Sequence, residues 1–350
     1  MSLLSKTSLG IDIGTTSIKV VELAHRGGVP RLESYGILEN YAHLERINEA
    51  IQTSNFKIVE KTTAQYLANL LKQSKIKTRV ANISLPSFYT YMNLIELPHL
   101  NPKELDKAVQ YQARQYIPIP LQDVILDWQV VLQTPTRMHI LLSAVPKDIV
   151  ERYSTLAKLA GIKINMLEME VISLIRALLK NEKGLVALVD IGGRATSICI
   201  VDNSIPQIMR TLDMAGGDLT QVIATGLGIA PLRAEEIKRL YGLVPPQGQE
   251  DVARLMVPLL DVIKQEVLRE ISNFYKKTNR QIEKIYLTGG IANLPGIIDD
   301  FIRDTRLPVI KGDPFLLGNV QYDKKLEPIV RELGTSLSGA CGLALRAFEK

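Results

Sequence analysis

Apolar positions come in short runs broken by glycine- and hydroxyl-rich turns, and these alternate with longer stretches whose apolar residues recur at helical spacing. Residues 9–13 read as a strand, Gly14–Thr15–Thr16 as a tight turn, and 17–23 as the returning strand of a hairpin. A third strand is expected at 30–37. A helix is expected at 61–74, with Ala64, Leu67, Ala68, Leu70 and Leu71 on one side, then a short apolar strand at 80–85 that ends at Pro86. Beyond Pro86 a loosely alternating stretch spans 89–97. Asn101, Pro102 and Glu104 then have the spacing of a helix cap, a first-turn proline and a capping carboxylate. That helix must stop at Ile117–Pro118–Ile119–Pro120, because two prolines cannot continue it. Strands at 124–132 and 138–145, a helix at 147–160 closed by Gly161, a strand at 162–167 and a helix at 171–179 complete the first half.

The second half repeats the opening. Residues 185–191 form an apolar run, Gly192–Gly193–Arg194–Ala195 a turn, and 196–201 a returning strand. A strand–Asp–x–Gly–turn–strand unit therefore begins twice, with Asp12 and Asp190 at matching places. Repetition on this scale is a duplicated domain and not a solenoid. A strand at 208–212 leads to Gly216–Gly217. A helical block over 218–284 places Leu260, Ile263, Val267, Ile271 and Phe274 on one face. A buried strand at 285–288 precedes Gly289–Gly290, and a small-residue apolar helix is expected at 334–348. With 350 residues the chain has room for two domains, or one bilobal one, with a core that requires no disulfide or metal.

Composition narrows the function classes. Two cysteines, Cys199 and Cys341, stand far apart in apolar surroundings and suggest buried thiols in a reducing compartment. Four scattered histidines offer no metal-ligand spacing. The net charge of +5 comes from cations interleaved with acids. Its densest groups, Lys72–Lys75–Lys77–Arg79 and Lys276–Lys277–Arg280–Lys284, suit helix ends, an anionic membrane surface or an acidic partner. Aromatic residues are only 5% of the chain and no aromatic–basic platform appears, so nucleic acid is not an expected partner. No apolar run reaches the roughly 18 residues of a spanning helix, and Met1 to Lys6 read as no signal peptide.

Three constellations point to phosphate chemistry. In the first, Gly14 lets backbone N–H groups approach an oxyanion, Thr15, Thr16 and Ser17 add hydroxyl donors, and Lys19 adds a compact charge. Asp12, at its strand end, is placed to hold Mg²⁺, an ion that favours few carboxylates plus phosphate. The second offers the same parts: Asp190 for the metal, with Gly192, Gly193, Arg194 and Thr196 around the turn. Either hairpin alone is equally a plain polar turn; two at the starts of duplicated domains would grip a polyphosphate from both sides. In the third, Gly289 and Gly290 leave bare backbone for a flat base or ribose, with Asn293 close behind, or else form an ordinary strand-to-helix turn. Gly216 and Gly217 belong to the same set. Glu235 and Lys238, three apart on a helix, are either ribose ligands or an exposed ion pair.

In their order, these motifs resemble the actin and heat-shock chaperone ATPase superfamily. No GxxxxGK[ST] loop and no GxGxxG after a strand is present. The segment Tyr111–Gln112–Ala113–Arg114–Gln115–Tyr116–Ile117–Pro118–Ile119–Pro120–Leu121, followed by Asp123–Val124–Ile125–Leu126–Asp127–Trp128–Gln129–Val130, resembles the hallmark of the PilM family of type IV pilus assembly proteins. The likeness runs through Arg210 and Gly216–Gly217–Asp218–Leu219–Thr220. It departs at Gln112 and Ile119, where the family more often has Glu and Phe, and at Arg194, where many relatives have a small residue.

The resemblance implies an α/β actin-like ATPase fold: two duplicated α/β lobes around a nucleotide cleft, with an FtsA-type inserted small subdomain. Residues 1–85 would form the first large subdomain, rejoined by 166–184 and 331–350. Residues 86–165 would be the insertion, 185–215 with 283–330 the second large subdomain, and 216–282 a helical subdomain. The implied cofactors are ATP and Mg²⁺. The implied role is a cytoplasmic adaptor, peripheral at the inner membrane, that binds the N-terminal cytoplasmic peptide of PilN and through it PilO and the pilus platform, with self-association an option. Tyr89, Tyr91, Tyr111, Ile117 and Ile119 would either line the peptide groove or pack within the insertion. Turnover is expected to be slow, because no water-activating base stands near Gly192 or Gly193. Two rivals share the fold. One is an FtsA-like filament protein, disfavoured by the lack of a basic amphipathic C-terminal helix; the other is a sugar or acetate-type kinase, for which no substrate motif appears.

Overall fold

The structure is a computed structural model that describes residues 7–39 and 60–349. The reading of Met1 to Lys6 lies outside these residues. Two five-stranded sheets are built to one plan. In the first, β1 (Thr7–Ile13), β2 (Ser17–Arg26) and β3 (Val29–Glu39) form an antiparallel meander, and β4 (Val80–Leu85) and β8 (Lys163–Met169) extend it in parallel, in the order β3-β2-β1-β4-β8. In the second, β9 (Leu185–Ile191), β10 (Thr196–Asp202), β11 (Ile205–Leu212), β12 (Lys284–Thr288) and β13 (Val309–Lys311) repeat that order and those directions as β11-β10-β9-β12-β13. The duplication seen in the sequence is thus a duplication of topology.

The central strands are apolar on both faces because helices cover both, as parallel pairing requires. On the first sheet, α1 (Glu60–Gln73) and α3 (Lys147–Leu159) pack on one side, with Leu67, Leu71, Tyr153 and Leu156 against Ile11 and Ile83. On the other side lie α4 (Glu170–Leu178) and α10 (Ser338–Leu345). The small residues of α10 have a steric cause. A Cβ on Gly10 would lie 2.0 Å from the Ala340 carbonyl oxygen, and one on Gly342 would lie 1.8 Å from that of Ser173. The second sheet is covered by α5 (Gly216–Leu227), α6 (Pro231–Tyr241), α7 (Asp251–Thr278) and α8 (Ile297–Thr305), with Met256, Leu260, Ile263 and Val267 in its core.

The inserted module is a three-stranded antiparallel sheet, β5 (Tyr91–Pro98), β7 (Arg137–Pro146) and β6 (Val124–Gln133), backed by α2 (Pro102–Tyr116). Asn101 caps α2 as its spacing suggested: Oδ1 accepts from the N–H groups of Lys103 (3.1 Å) and Glu104 (3.0 Å), while Glu104 Oε2 accepts from Asn101 N–H. The module is smaller than 86–165. α3 buries Ile149, Tyr153 and Leu156 in the first lobe, and β8 pairs with β4 from Lys163 onward, so both belong to the first lobe. The chain also returns to that lobe before 331. Gln321 exchanges backbone hydrogen bonds with Pro30 and Leu32, while Phe315 and Val320 join a core shared by residues of both sheets, ahead of α9 (Glu327–Leu333).

Candidate functional site

The two hairpins meet tip to tip between the lobes. In the first, Gly14 N–H donates to the Ser17 carbonyl at 2.9 Å, and the register sets Asp12 opposite Lys19. Both side chains then share one face, and Lys19 Nζ lies 3.4 Å from Asp12 Oδ2. Ser84 Oγ donates to Asp12 Oδ1 at 2.7 Å and fixes that carboxylate. In the second, Gly192 N–H donates to the Ala195 carbonyl and Asp190 stands opposite Ser197. A serine therefore occupies the duplicate of the Lys19 position, and one lysine serves two carboxylates. The tips touch closely: a Cβ on Gly193 would lie 2.4 Å from Thr16 Cγ2. Gly216 and Gly217, opening α5, donate to the carbonyls of Gly192 (3.0 Å) and Gly193 (2.9 Å), so the helix start is tied to the second tip.

A cavity of about 290 Å³ lies between the lobes. At its polar end it brings together Asp12, Lys19, Asp190 and a carboxylate that no motif announced, Glu170 at the start of α4. Burial disfavours the Lys19 ammonium, but the charges of Asp12, Glu170 and Asp190 outweigh it and raise its pKa. Burial, with repulsion from Asp12, pushes Asp190 up to about 6 against the pull of Lys19. Burial and the two aspartates push Glu170 well above the usual carboxylate range. Three acids around one lysine leave excess negative charge, which suits a cation. The described residues present no ready-made cage of three or more metal ligands.

Of the residues expected from sequence, Thr16, Ser17, Gly192, Gly193, Gly216, Gly217, Glu235, Lys238, Gly289, Gly290 and Asn293 line this cavity together with Asp12, Lys19 and Asp190. Four do not. Gly14 and Thr15 build the turn outside the cavity wall, and the Thr196 hydroxyl donates to the Met214 carbonyl at 2.7 Å. Arg194 turns away to Asp213, 3.7 Å distant, and to the ring of Phe88. Glu235 and Lys238 line the cavity as a buried pair and not as an exposed one. Lys238 Nζ is 2.6 Å from Glu235 Oε2, 2.7 Å from Thr220 Oγ1 and 2.8 Å from the Gly216 carbonyl, which uses all three ammonium protons. Burial opposes ionisation of Glu235, yet Lys238, with Thr220 and Arg239, holds its pKa down at about 2. Arg239 also reaches across the cavity mouth to Glu39 at 2.8 Å, joining the lobes. Its place one helical turn beyond Glu235 was legible; its partner, the last residue of β3, was not.

A sequence model of the type IV pilus assembly protein PilM family matches residues 10–348. The chain belongs to the PilM family. The cell division protein FtsA of Enterococcus hirae is 27% identical over 352 residues, which cover 85% of this chain and 76% of that protein. Among solved structures, a PilM–PilN type IV pilus biogenesis complex matches with a TM-score of 0.84 at 24% identity, over 98% of this chain and 99% of that one. MreB5 of Spiroplasma citri bound to AMPPNP matches with a TM-score of 0.52 at 14% identity, over 93% and 97%. The fold of this PilM-family chain is therefore actin-like, as the paired hairpins implied. No helix among its described residues is long and apolar enough to cross a membrane.

The residues that the PilM resemblance assigned to a peptide groove differ in burial and packing. Tyr111 stands exposed on α2, while Tyr91 and Ile119 are half-buried against the module's core. Tyr89 packs instead on the first-lobe core. Ile117 is corrected to a core residue. As the cap of α2 it is 6% exposed and packs with Val109 and Ala113, so it is not available at a surface.

Proposed function

We propose that this PilM-family chain is a cytoplasmic ATP-binding adaptor of the type IV pilus inner-membrane platform. It binds Mg-ATP between its lobes and docks the N-terminal cytoplasmic peptide of PilN on its inserted module, reaching PilO through that partner. The single observation behind the nucleotide is the pair of opposed hairpins with Lys19 between Asp12 and Asp190. The far end of the cavity fits a base: Asn293 Oδ1 and Thr335 Oγ1 are buried there with no hydrogen-bond partner, beside the bare backbone of Gly289 and Gly290. Asp12 and Asp190 would hold magnesium, which neutralises phosphate charge when bound. Lys19 meets the phosphates as a point charge. Glu170 adds a third carboxyl at this end, and burial together with the two aspartates favours its protonated form. The partner assignment rests on the likeness to the solved PilM–PilN complex.

One experiment separates the two halves of this reading. Lys19→Ala loses a charge-assisted contact of about 1.5–3 kcal/mol, so calorimetry should show ATP affinity falling about tenfold or more, with binding of a labelled PilN N-terminal peptide retained in fluorescence anisotropy. Tyr111→Asp should do the reverse. Unchanged ATP affinity in the first variant removes Lys19 from the site, and unchanged peptide affinity in the second moves the groove elsewhere.

The charge on Asp190 makes a pH test possible. A carboxyl with a pKa of about 6 is ionised at pH 7 and mostly protonated at pH 5, and only the ionised form binds a metal. The gain in ATP affinity from adding Mg²⁺ should shrink about tenfold between pH 7 and pH 5. Titrations with Mg²⁺ and with EDTA at each pH measure it, and Asp190→Asn should abolish the trend. A magnesium gain that is the same at both pH values removes Asp190 from the metal.

A further inference from the structure

Ser87, Phe88 and Tyr89 form a short turn between β4, in the first lobe, and β5, the first strand of the inserted module. Each side chain meets a different part of the nucleotide machinery. Ser87 Oγ donates to Glu170 Oε2 at 3.5 Å, at the acidic end of the cavity. The Phe88 ring centroid lies 5.2 Å from the guanidinium carbon of Arg194, on the second hairpin and hence in the other lobe. Tyr89 lies tilted against Phe88, with centroids 4.3 Å apart and ring planes at 53°, and packs on the first-lobe core that includes Tyr153. Tyr153 is 1% exposed, and its hydroxyl donates to the Ile13 carbonyl at 3.3 Å, one residue before the first tip. Three consecutive residues thus sense both tips and the acidic end, and the chain leads directly from them into β5.

The cation–π contact between Phe88 and Arg194 exists only while the lobes are together. A ligand gripped by both hairpins favours that arrangement by its differential affinity, and whatever the arrangement fixes elsewhere is favoured equally. The edge strand β5 also faces β11 of the second lobe, so the module itself bears on the closed cleft.

We infer that Ser87–Tyr89 is a relay between the nucleotide and the inserted module: closing both hairpins on a triphosphate pins Phe88 under Arg194, sets the module against the first lobe, and couples ATP binding to binding of the module's partner. This rests on the nucleotide reading above. The reciprocal gain in affinity is on the order of tenfold, the range of one desolvated cation–π contact.

Hydrogen exchange on the full chain tests the relay without any partner present, and the only tryptophan, Trp128 on β6, adds an optical probe within the module. Where calorimetry shows Mg-ATP bound, amides of 87–98 should exchange at least about threefold more slowly and Trp128 emission should shift. Phe88→Leu keeps apolar volume but loses the ring face; it should still bind ATP and lose most of both changes. Arg194→Met removes the same contact from the other lobe and should lose them too. Bound ATP with no change at 87–98 in the wild type overturns the relay, as does a full change in both variants. Absence of ATP binding in the wild type overturns the nucleotide reading instead.

Discussion

Lys238→Met should destabilise the protein by about 3 kcal/mol and cost it most of its nucleotide affinity. Lys238 and Glu235 have side chains only 5% and 11% exposed. Removing one partner of a buried pair typically costs about 3–5 kcal/mol, because the remaining charge is left in a poor solvent. The lower end applies here, since Arg239 still reaches Glu235 at 2.7 Å from a half-exposed position. Affinity suffers for a different reason. Lys238 holds the Gly216 carbonyl and the Thr220 hydroxyl, and Gly216 N–H holds the second hairpin through Gly192. Loosening that brace blurs the loop that faces phosphate, and preorganisation is what such a loop supplies. Urea denaturation and calorimetry measure the two effects. A Glu235→Leu/Lys238→Met double variant removes the orphaned charge and should recover much of the stability. A single variant as stable as wild type would show that the pair contributes nothing.

The cavity's glycine frame was legible because glycine at a strand end has few other uses. Gly193 and Gly289 are each demanded by an atom within 2.4 Å of where a Cβ would stand. The cap at Asn101 was equally readable, since it is local chemistry over four residues. What stayed hidden depends on distant contacts. Glu170 enters the cavity only because β8 lies two strands from β1 and hands it over at the start of α4, and nothing in its neighbourhood marks it. Arg194 looked like a phosphate cation by its place in the turn, yet Asp213 and Phe88 hold it elsewhere. For Ile117 the PilM resemblance left a groove wall and packing within the insertion both open, and its apolar bulk lies in the module's core. The extent of the insertion failed for a similar reason: helix α3 follows the module in sequence, while its apolar face is complementary to α1 in the first lobe.

The adjacent glycines 289 and 290 should respond in opposite ways to the same substitution. Gly289 has φ +85° and ψ −178°, a conformation essentially reserved for glycine. A Cβ there would meet the Ile191 carbonyl oxygen at 2.4 Å and Asp190 Oδ1 at 2.6 Å. Ile191 is fully buried at the end of β9 and cannot yield, so Gly289→Ala should cost about 2–5 kcal/mol from backbone strain and overpacking together. It also pushes on the carboxylate proposed to hold the metal, so ATP binding should be lost beyond detection. Gly290 has no atom within 4 Å of its Cβ position and no positive φ, yet it lines the same cavity. Gly290→Ala should leave the denaturation midpoint within about 0.5 kcal/mol of wild type. Gly290→Val should then lower ATP affinity without further loss of stability, because the added bulk stands where the base or ribose would lie. A stable Gly290→Val variant that binds ATP as tightly as wild type would place the adenosine elsewhere in the cavity. A Gly289→Ala variant of unaltered stability would mean that the strand end relaxes far more easily than its buried neighbours allow.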